Sequence, residues 1–539
     1  VCHGCVFPAK DASAITAFTQ TIQQHWPFSH RADTPQFPSI HFRLLVLADP
    51  QLEGDSSLPK PEDGLLPKLA RRWAKLRGDD VENMIPQLLG NAKEVLIDDI
   101  PTALQALRKR LDLLGNDYYL GHIYRILHWW TVPSHVTVLG DLIGSQWVTD
   151  EEFEWRGWRY WNRVFVNGQR IGDEITSWSR EEEEKIFNMT DASWARNTIN
   201  IAGNHDIGYA GEISYGRMER FERVFGKANW DVRFQYPGDD VPKNETTTIP
   251  SIHLIVLNSL ILDSPAFSDE LRGETFDFLN SLITSRLRPV EDRASFTLLL
   301  THLPLHKKEG TCVDAPFFDY WGDDDGGGVY RPHGVREQNH LSAHASQQGT
   351  LEALFGMGGN LDAPAQGKGR DGLILTGHDH EGCDVWHYIP SNTTWSDSTE
   401  NTEKDGKTHW EAVRWSESNQ IDHHTGVREV TLRSMMGDYG GNAGLLSMWF
   451  NFSTGEWEYA ISMCGLNVRL WWAVHVMDLL VLALFVPTLG SFVIRMLSDA
   501  RLQTMSNNHD ERSSNASKTA TESSASTSSN DSARNAPAK

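Results

Sequence analysis

Positive charge is what this 539-residue chain is short of: 49 Lys and Arg stand against 72 Asp and Glu, a formal net charge of −23. No dense Lys/Arg block offsets the deficit, so general electrostatic binding to nucleic-acid phosphates is not expected. Cysteine is scarce as well. The five present (Cys2, Cys5, Cys312, Cys383, Cys464) are too few for a disulfide scaffold, and only Cys2 and Cys5 stand at a Cys-x-x-Cys spacing. A bound metal would therefore use His, Asp, Asn or Gln. Internal repeats are absent. Against these lacks, 40% hydrophobic and 10% aromatic residues suffice for a sizeable core. The sequence starts at Val1 rather than Met, which leaves room for a targeting or membrane segment before it.

Long apolar runs are equally rare, and the one that exists marks a boundary. Residues 470–494 read LWWAVHVMDLLVLALFVPTLGSFVI, long and apolar enough to cross a bilayer. His475 and Asp478 are costly in hydrocarbon and Pro487 can kink a helix, so a buried hairpin or core helix is the alternative. Trp471 and Trp472 suit an interfacial belt. Arg495, Arg501 and Arg512 lie beyond the run against Arg469 before it, which places the tail in the cytosol and the large domain in a lumen. Four Asn-x-Ser/Thr triplets precede it (Asn188, Asn244, Asn392, Asn451), as expected of a lumenal glycoprotein. The segment 503–539 is rich in Ser, Thr, Asn and Ala and cannot bury a core, so a disordered tail is expected from about 495.

Between these limits the chain alternates strand-like and helix-like segments, an α/β pattern. Short β-branched or Leu-rich runs stand at 43–48, 136–139, 198–202, 252–257, 296–301, 372–376 and 427–432. A lead-in of residues 1–40 then precedes a domain over 41–465, interrupted by a helical insertion at about 55–132. Leu104, Leu107, Leu111 and Leu114 share one helical face, with Lys109 and Arg110 on another, and are expected to pack the insertion onto the domain. Trp158, Trp161 and Phe165 likewise predict a core-facing stripe.

Five strand-like runs end in metal-ligand residue types. LLVLADPQ supplies Asp49 and Gln51; VTVLGD supplies Asp141; TINIAGNHD supplies Asn204, His205 and Asp206; FTLLLTH supplies His302; GLILTGHDH supplies His378 and His380. Ligands of open α/β sheets collect beyond the carboxyl ends of the strands, so five such loops can converge on one site. A lone His after a strand is more often structural, but the same accident does not recur at five equivalent places. Imidazoles, carboxylates and amide oxygens without thiolate suit Mn²⁺, Fe²⁺ or Zn²⁺. Seven ligands, with His205 and Asp206 of the nine set aside, already exceed what one ion needs, which points to two metals sharing a carboxylate and an in-line displacement at phosphorus.

The ordered set D-x-Q, GD, GNHD, TH and GHDH resembles the calcineurin-like metallophosphoesterases, over about residues 42–388. That family usually has D-x-H first, so Gln51 departs from its pattern. The resemblance implies a four-layer α/β/β/α sandwich, here with a helical insertion and a C-terminal transmembrane helix. It implies Asp49, Gln51, Asp141 and His380 around one metal, and Asp141, Asn204, His302 and His378 around the other. His205 becomes the acid that protonates the leaving oxygen, oriented by Asp206. An amide oxygen at Gln51 favours Mn²⁺ over Zn²⁺ or Fe²⁺.

ADPQL, NDYYLGHIYR, VLGDLIGSQW, GNHDIGY and GHDHEGCDV look like the fungal, endoplasmic-reticulum branch of that family. Its members remove ethanolamine phosphate from mannose residues of glycosylphosphatidylinositol (GPI) glycans. This implies a lumenal phosphodiesterase of the endoplasmic-reticulum membrane, single- or double-pass, acting on GPI-anchored proteins during maturation and export. Two alternatives remain open: a phosphoesterase for nucleotides or phospholipid headgroups, and a non-catalytic membrane receptor for GPI-anchored cargo. Tyr330, Arg331 and His333 of YRPHG are candidates for contacting substrate phosphate. His306, His340, His344 and the pair His423–His424 read as structural or exposed. Cys312 and Cys383 each follow a ligand loop and can pair in an oxidising lumen.

Overall fold

The computed structural model describes residues 5–10, 14–25, 42–54, 61–76, 88, 90–178, 184–238, 249–286, 288–323, 325, 329–390, 410–420 and 426–526. Asn244, Asn392 and the pair His423–His424 lie outside them. The chain divides into a folded unit, Val1–Val468, and a second unit, Arg469–Lys539. Along the folded unit the strands are β1 (Phe42–Leu47), β2 (His135–Val138), β3 (Gln169–Arg170), β4 (Ile186–Asn188), β5 (Asn197–Asn200), β6 (Trp230–Gln235), β7 (Ser251–Val256) and β8 (Ser295–Leu300). They continue as β9 (Phe318–Tyr320), β10 (Val335–Gln338), β11 (Gly372–Thr376), β12 (Cys383–Tyr388), β13 (Glu411–Arg414), β14 (Gly426–Thr431), β15 (Asn442–Asn451) and β16 (Glu456–Gly465).

These strands make two mixed sheets, with a small β10-β9 pair outside them. One has six strands in the order β16-β15-β1-β2-β5-β3, the other eight in the order β13-β12-β14-β11-β8-β7-β6-β4. Central members are buried on both faces, so FRLLVL, SIHLIV and SFTLLL are largely apolar runs rather than alternating ones. Leu44, Val46 and Met448 of the first sheet and Phe234, Leu254, Leu298 and Leu375 of the second belong to one buried cluster. The two sheets thus share a core, and helices accompany them.

The insertion is helical, chiefly over Leu65–Leu76 and Ile100–Thr131. Only the second half of the longer helix is held by the domain. Leu120, Ile123, Tyr124 and Leu127 are buried, whereas Leu104, Leu107 and Leu111 are exposed, contrary to the packing expected of that face. The expected Trp158, Trp161 and Phe165 stripe fails at Trp158, which is exposed, whereas Trp161 is half-buried and Phe165 buried. The helix Asp150–Arg159 widens into a π turn, Tyr160–Val164, which turns Phe153, Tyr160, Val164 and Phe165 inward. Trp155 and Trp158 instead stack on each other at 4.9 Å on the outside. Asp117 explains the register. Fully buried, it accepts two hydrogen bonds from Arg159 (2.8 and 2.6 Å) and one from Arg163 (2.9 Å). Arg159 also donates to the Glu53 carbonyl at 2.6 Å, tying this ion cluster to the loop that follows β1.

Disulfides link Cys5 to Cys464 and Cys312 to Cys383. The first fastens the N-terminal segment to β16 and was not read from the sequence. Asn188 is exposed; Asn451 is half-buried, its amide donating to Glu458 at 2.6 Å. In the second unit, a helix spans Val468–Ser526, running on through the segment where a disordered tail was expected to begin. Its stretch Trp471–Arg501 is long and apolar enough to cross a membrane.

Asp117→Ala leaves Arg159 as a buried guanidinium without its carboxylate, so it should destabilise the folded unit by about 3–5 kcal/mol. Denaturant unfolding of the variant beside the parent measures it; a change below about 1 kcal/mol, the worth of a surface pair, contradicts this account.

Candidate metal centre

All five ligand loops leave carboxyl ends of parallel neighbours. β1, β2 and β5 run parallel in the six-stranded sheet and carry Asp49, Asp141 and Asn204. β8 and β11 run parallel in the eight-stranded sheet and carry His302 and His378. The loops cross from sheet to sheet: the His302 Nδ1 of one sits 2.8 Å from the Leu139 carbonyl of the other, and His378 N donates to Asp49 Oδ1 at 3.1 Å.

The backbone is bent to make this possible. Asp49, Gln51, Asp141 and His378 have φ of 51°, 40°, 50° and 72°, a left-handed conformation that side chains adopt at a cost of about 1–3 kcal/mol each. Two glycines give the room. A Cβ on Gly140 would stand 2.2 Å from His302 Nδ1, and one on Gly203 would stand 2.0 Å from the Asp141 amide nitrogen.

Two groups of ligand atoms result, and Asp141 is in both. Asp141, His302 and His378 form one; Asp49, Asp141 and His380 form the other; within each, the ligand atoms lie within 4.8 Å of one another. Backbone carbonyls assign the imidazole protons. A carbonyl only accepts, so His302 donates from Nδ1 to Leu139 and His378 donates from Nε2 to the Gln338 carbonyl at 3.0 Å. His302 Nε2 and His378 Nδ1 are then lone pairs. Each lies 2.9 Å from Asn204 Oδ1, and Asp141 Oδ1 is 3.4 Å from His302 Nε2. Four acceptors converge with no donor between them, which is the environment of a cation.

Titration points the same way. Burial holds His302 and His380 below the ordinary imidazole range and pushes His378 down to about 3, so all three are neutral ligands at pH 7. Burial, and then the neighbouring Asp141, push Asp49 well above the usual carboxylate range; its Oδ2 is buried without a hydrogen-bond partner. Burial also raises Asp141, but His205, His302 and His378 outweigh it and hold its carboxyl below the ordinary value. The residues present fit divalent metal.

Gln51 stands in the second group through its amide, whose nitrogen donates to Asp141 Oδ2 at 3.0 Å and lies 3.0 Å from His380 Nε2. A half-turn of that amide presents oxygen at the same place. His205 is the imidazole left open. Its side chain is 37% exposed with Nε2 3.8 Å from Asp141 Oδ2, and its backbone amide donates to Asp141 Oδ1 at 2.9 Å. Asp206 does something other than orient that ring: fully buried, it accepts from the backbone amides of Leu142 (3.2 Å), Ile143 (2.9 Å) and Gly203 (2.8 Å). It braces the loop that carries Asp141.

The YRPHG loop comes against the turn after GNHD, where Arg331 N donates to Gly211 O at 2.8 Å. Its side chains have other partners, however. Arg331 donates to Ala266 O (2.6 Å) and Asp269 (3.0 Å), His333 pairs with Asp323 (2.8 Å), and Tyr330 stacks on Trp321 at 4.2 Å. The structure thus groups the metal-ligand candidates and engages these three elsewhere. It also adds the Leu139 and Gln338 carbonyls and the Tyr439 ring, 4.6 Å from that of His380. No sequence signal marks a carbonyl. Cys312–Cys383 staples the chain after His302 to the chain after His380.

The order of the motifs and this geometry meet in the relatives. Protein TED1 of Saccharomyces cerevisiae is 34% identical over 401 residues, 67% of this chain and 75% of its own. The chain belongs to the calcineurin-like metallophosphoesterases. Metallophosphoesterase 1 of Cricetulus griseus is 22% identical over 289 residues, 51% of this chain and 57% of its own. That of Xenopus laevis is 22% identical over 333 residues, 58% and 66%. Over these last two the chain spans less than two thirds of the relatives' length. No family model matches it. As a metallophosphoesterase it is a metal-dependent phosphoester hydrolase.

Asp49→Asn removes a buried carboxylate of which one oxygen has no hydrogen-bond partner. Metal-free, the variant should be more stable than the parent by about 1–3 kcal/mol, while losing the rise in Tm that added Mn²⁺ gives. The sign with pH follows from the raised pKa. The folded parent holds the Asp49 proton more tightly than the unfolded chain, so it loses stability as pH climbs from the ordinary carboxylate range towards the raised value. The variant's advantage should be absent near pH ~4 and grow upward; thermal melts in chelator across that range test it, and an advantage that shrank would refute the assignment.

Proposed function

We propose that this metallophosphoesterase is a two-metal phosphodiesterase that removes ethanolamine phosphate from a mannose of GPI-anchor glycans. We place the reaction in the lumen of the endoplasmic reticulum, where it would support maturation and export of GPI-anchored proteins. The convergence of four acceptors on one point, beside a second ligand group sharing Asp141, carries the two-metal reading. The shared motifs with the endoplasmic-reticulum branch carry the substrate, and the C-terminal helix supports a membrane location, with the domain lumenal and the tail cytosolic. A four-layer sandwich is the arrangement we propose for the two sheets and their helices.

Asp49, Gln51, Asp141 and His380 would hold one ion, and Asp141, Asn204, His302 and His378 the other, most suitably Mn²⁺ given the oxygen-rich first group. Bound there, the ions supply Lewis acidity towards the phosphoryl oxygens and activate water. The rest is done by the chain. Asp141, whose carboxyl stays below the ordinary value, keeps its negative charge between the two groups. The Leu139 and Gln338 carbonyls keep the ring nitrogens facing inward. His205, outside the ligand set and open to solvent, is placed to donate a proton to the departing sugar oxygen. Asp206 positions it only indirectly, through the Gly203 and Leu142 amides.

Detergent-purified protein supplied with Mn²⁺ should release one ethanolamine phosphate from a GPI glycan, read by mass spectrometry. His205→Ala should cut turnover by about 10²–10⁴-fold while still binding metal, and Asp141→Asn should abolish both. Near-normal hydrolysis by Asp141→Asn would overturn the shared-ligand reading. No release from the glycan, but turnover of a nucleotide or phospholipid diester, would replace the substrate and keep the chemistry.

A further inference from the structure

The half of the helix Ile100–Thr131 that the domain does not cover carries an apolar stripe. Leu104, Leu107 and Leu111 are 61%, 53% and 59% exposed, and Leu114 and Tyr118 continue the same line. The spacing i, i+3, i+7, i+10, i+14 keeps all five on one face. A second helix repeats the pattern. Leu65–Leu76 exposes Leu66 and Trp73 at 76% and 59%, and among its twelve residues are Lys68, Arg71, Arg72, Lys75 and no acid, in a chain whose net charge is −23. A groove of about 350 Å³ between the two helices mixes Leu66, Ala106 and Leu107 with Lys68 and Arg110. Lys68 and Arg72 pair with Asp99 and Arg71 with Asp63, so it is the apolar face, with Trp73 on it, beside this polar flank that matches a helix lying in a membrane interface.

The chain path supplies the reason this face meets lipid. Tyr119, one residue past the stripe, donates its hydroxyl to the Leu466 carbonyl at 2.8 Å. Leu466 N in turn donates to Gly441 O, so this is an anchored point of the folded unit. The apolar span starts at Trp471. Five residues reach at most roughly 18 Å, so the tether between that anchored point and the apolar span is short, comparable to the roughly 21 Å that the stripe runs along its helix. A second copy is the weaker fit: the a/d-like line lasts two heptads, short of the three to four that sustain a coiled coil.

We propose that the exposed apolar faces of helices Leu65–Leu76 and Ile100–Thr131 rest in the headgroup layer of the bilayer that holds the C-terminal helix. The test uses the full chain in nanodiscs of phosphatidylcholine and phosphatidylinositol, with a nitroxide on Leu107→Cys or Leu111→Cys and a reference on Asn280→Cys, all at exposed positions. Oxygen, which concentrates in lipid, should relax the two stripe labels strongly. A water-soluble nickel chelate should reach them several-fold less than it reaches the reference. Equal access of the chelate at all three positions would overturn the proposal, as would spin–spin coupling between copies, which would assign the face to self-association. Neither readout needs a substrate, so failure here is distinct from failure of the GPI reading.

Discussion

The structure depends on a single electrostatic conflict: Asp49, Asp141 and Asp206 are all buried together where the loops of two sheets meet. Uncompensated carboxylates in such a place cost several kcal/mol each, and the surroundings show three different answers. Asp206 is satisfied by backbone amides. Asp141 is surrounded by imidazoles that favour its charge. Asp49 has one oxygen on the His378 amide and the other on nothing. That graded satisfaction separates a residue that braces a loop from residues that wait for a cation, although all three are Asp beyond a strand.

The same economy extends to nitrogen. An imidazole binds metal through one nitrogen only if something else takes the proton on the other. Here the proton acceptors are carbonyls at fixed places, Leu139 beside β2 and Gln338 at the end of β10, so the sheet framework itself decides which nitrogen faces inward. The positive φ angles at four of the site's loop residues belong to this arrangement. A relaxed backbone would not aim Asp49, Gln51, Asp141 and His378 at one volume, and the stability spent on bending is returned only when the site is filled. Stapling two of the loops through Cys312–Cys383 limits how far they can relax when it is not.

Much of this was legible in the sequence because side-chain chemistry and strand ends are both written there. Five apolar runs, each followed by Asp, Asn or His, placed the ligand groups before any coordinate did. What was illegible is what depends on the backbone or on absent neighbours. The role of Asp206 turned on which amides face it. Tyr330, Arg331 and His333 have suitable chemistry, but their partners Trp321, Asp269 and Asp323 are set by loop geometry. Cys5 paired with a residue 459 positions away, a separation no spacing rule spans.

The helices of the insertion show the limit most sharply. Period 3.6 says that Leu104, Leu107, Leu111 and Leu114 share a face; it is silent about what covers that face. The inference that they pack on the domain used the commonest answer for a soluble chain. This chain is tied to an apolar span starting five residues beyond Leu466, and a leucine stripe has a second solvent available there. Burying it in acyl chains gains roughly what burying it in a protein core would, about 25 cal/mol for each Å² removed from water. The identical pattern therefore has different surroundings in the two halves of one helix: protein from Leu120 onward, where Leu120, Ile123 and Leu127 are buried, and before Tyr119 a largely exposed face that we propose meets lipid.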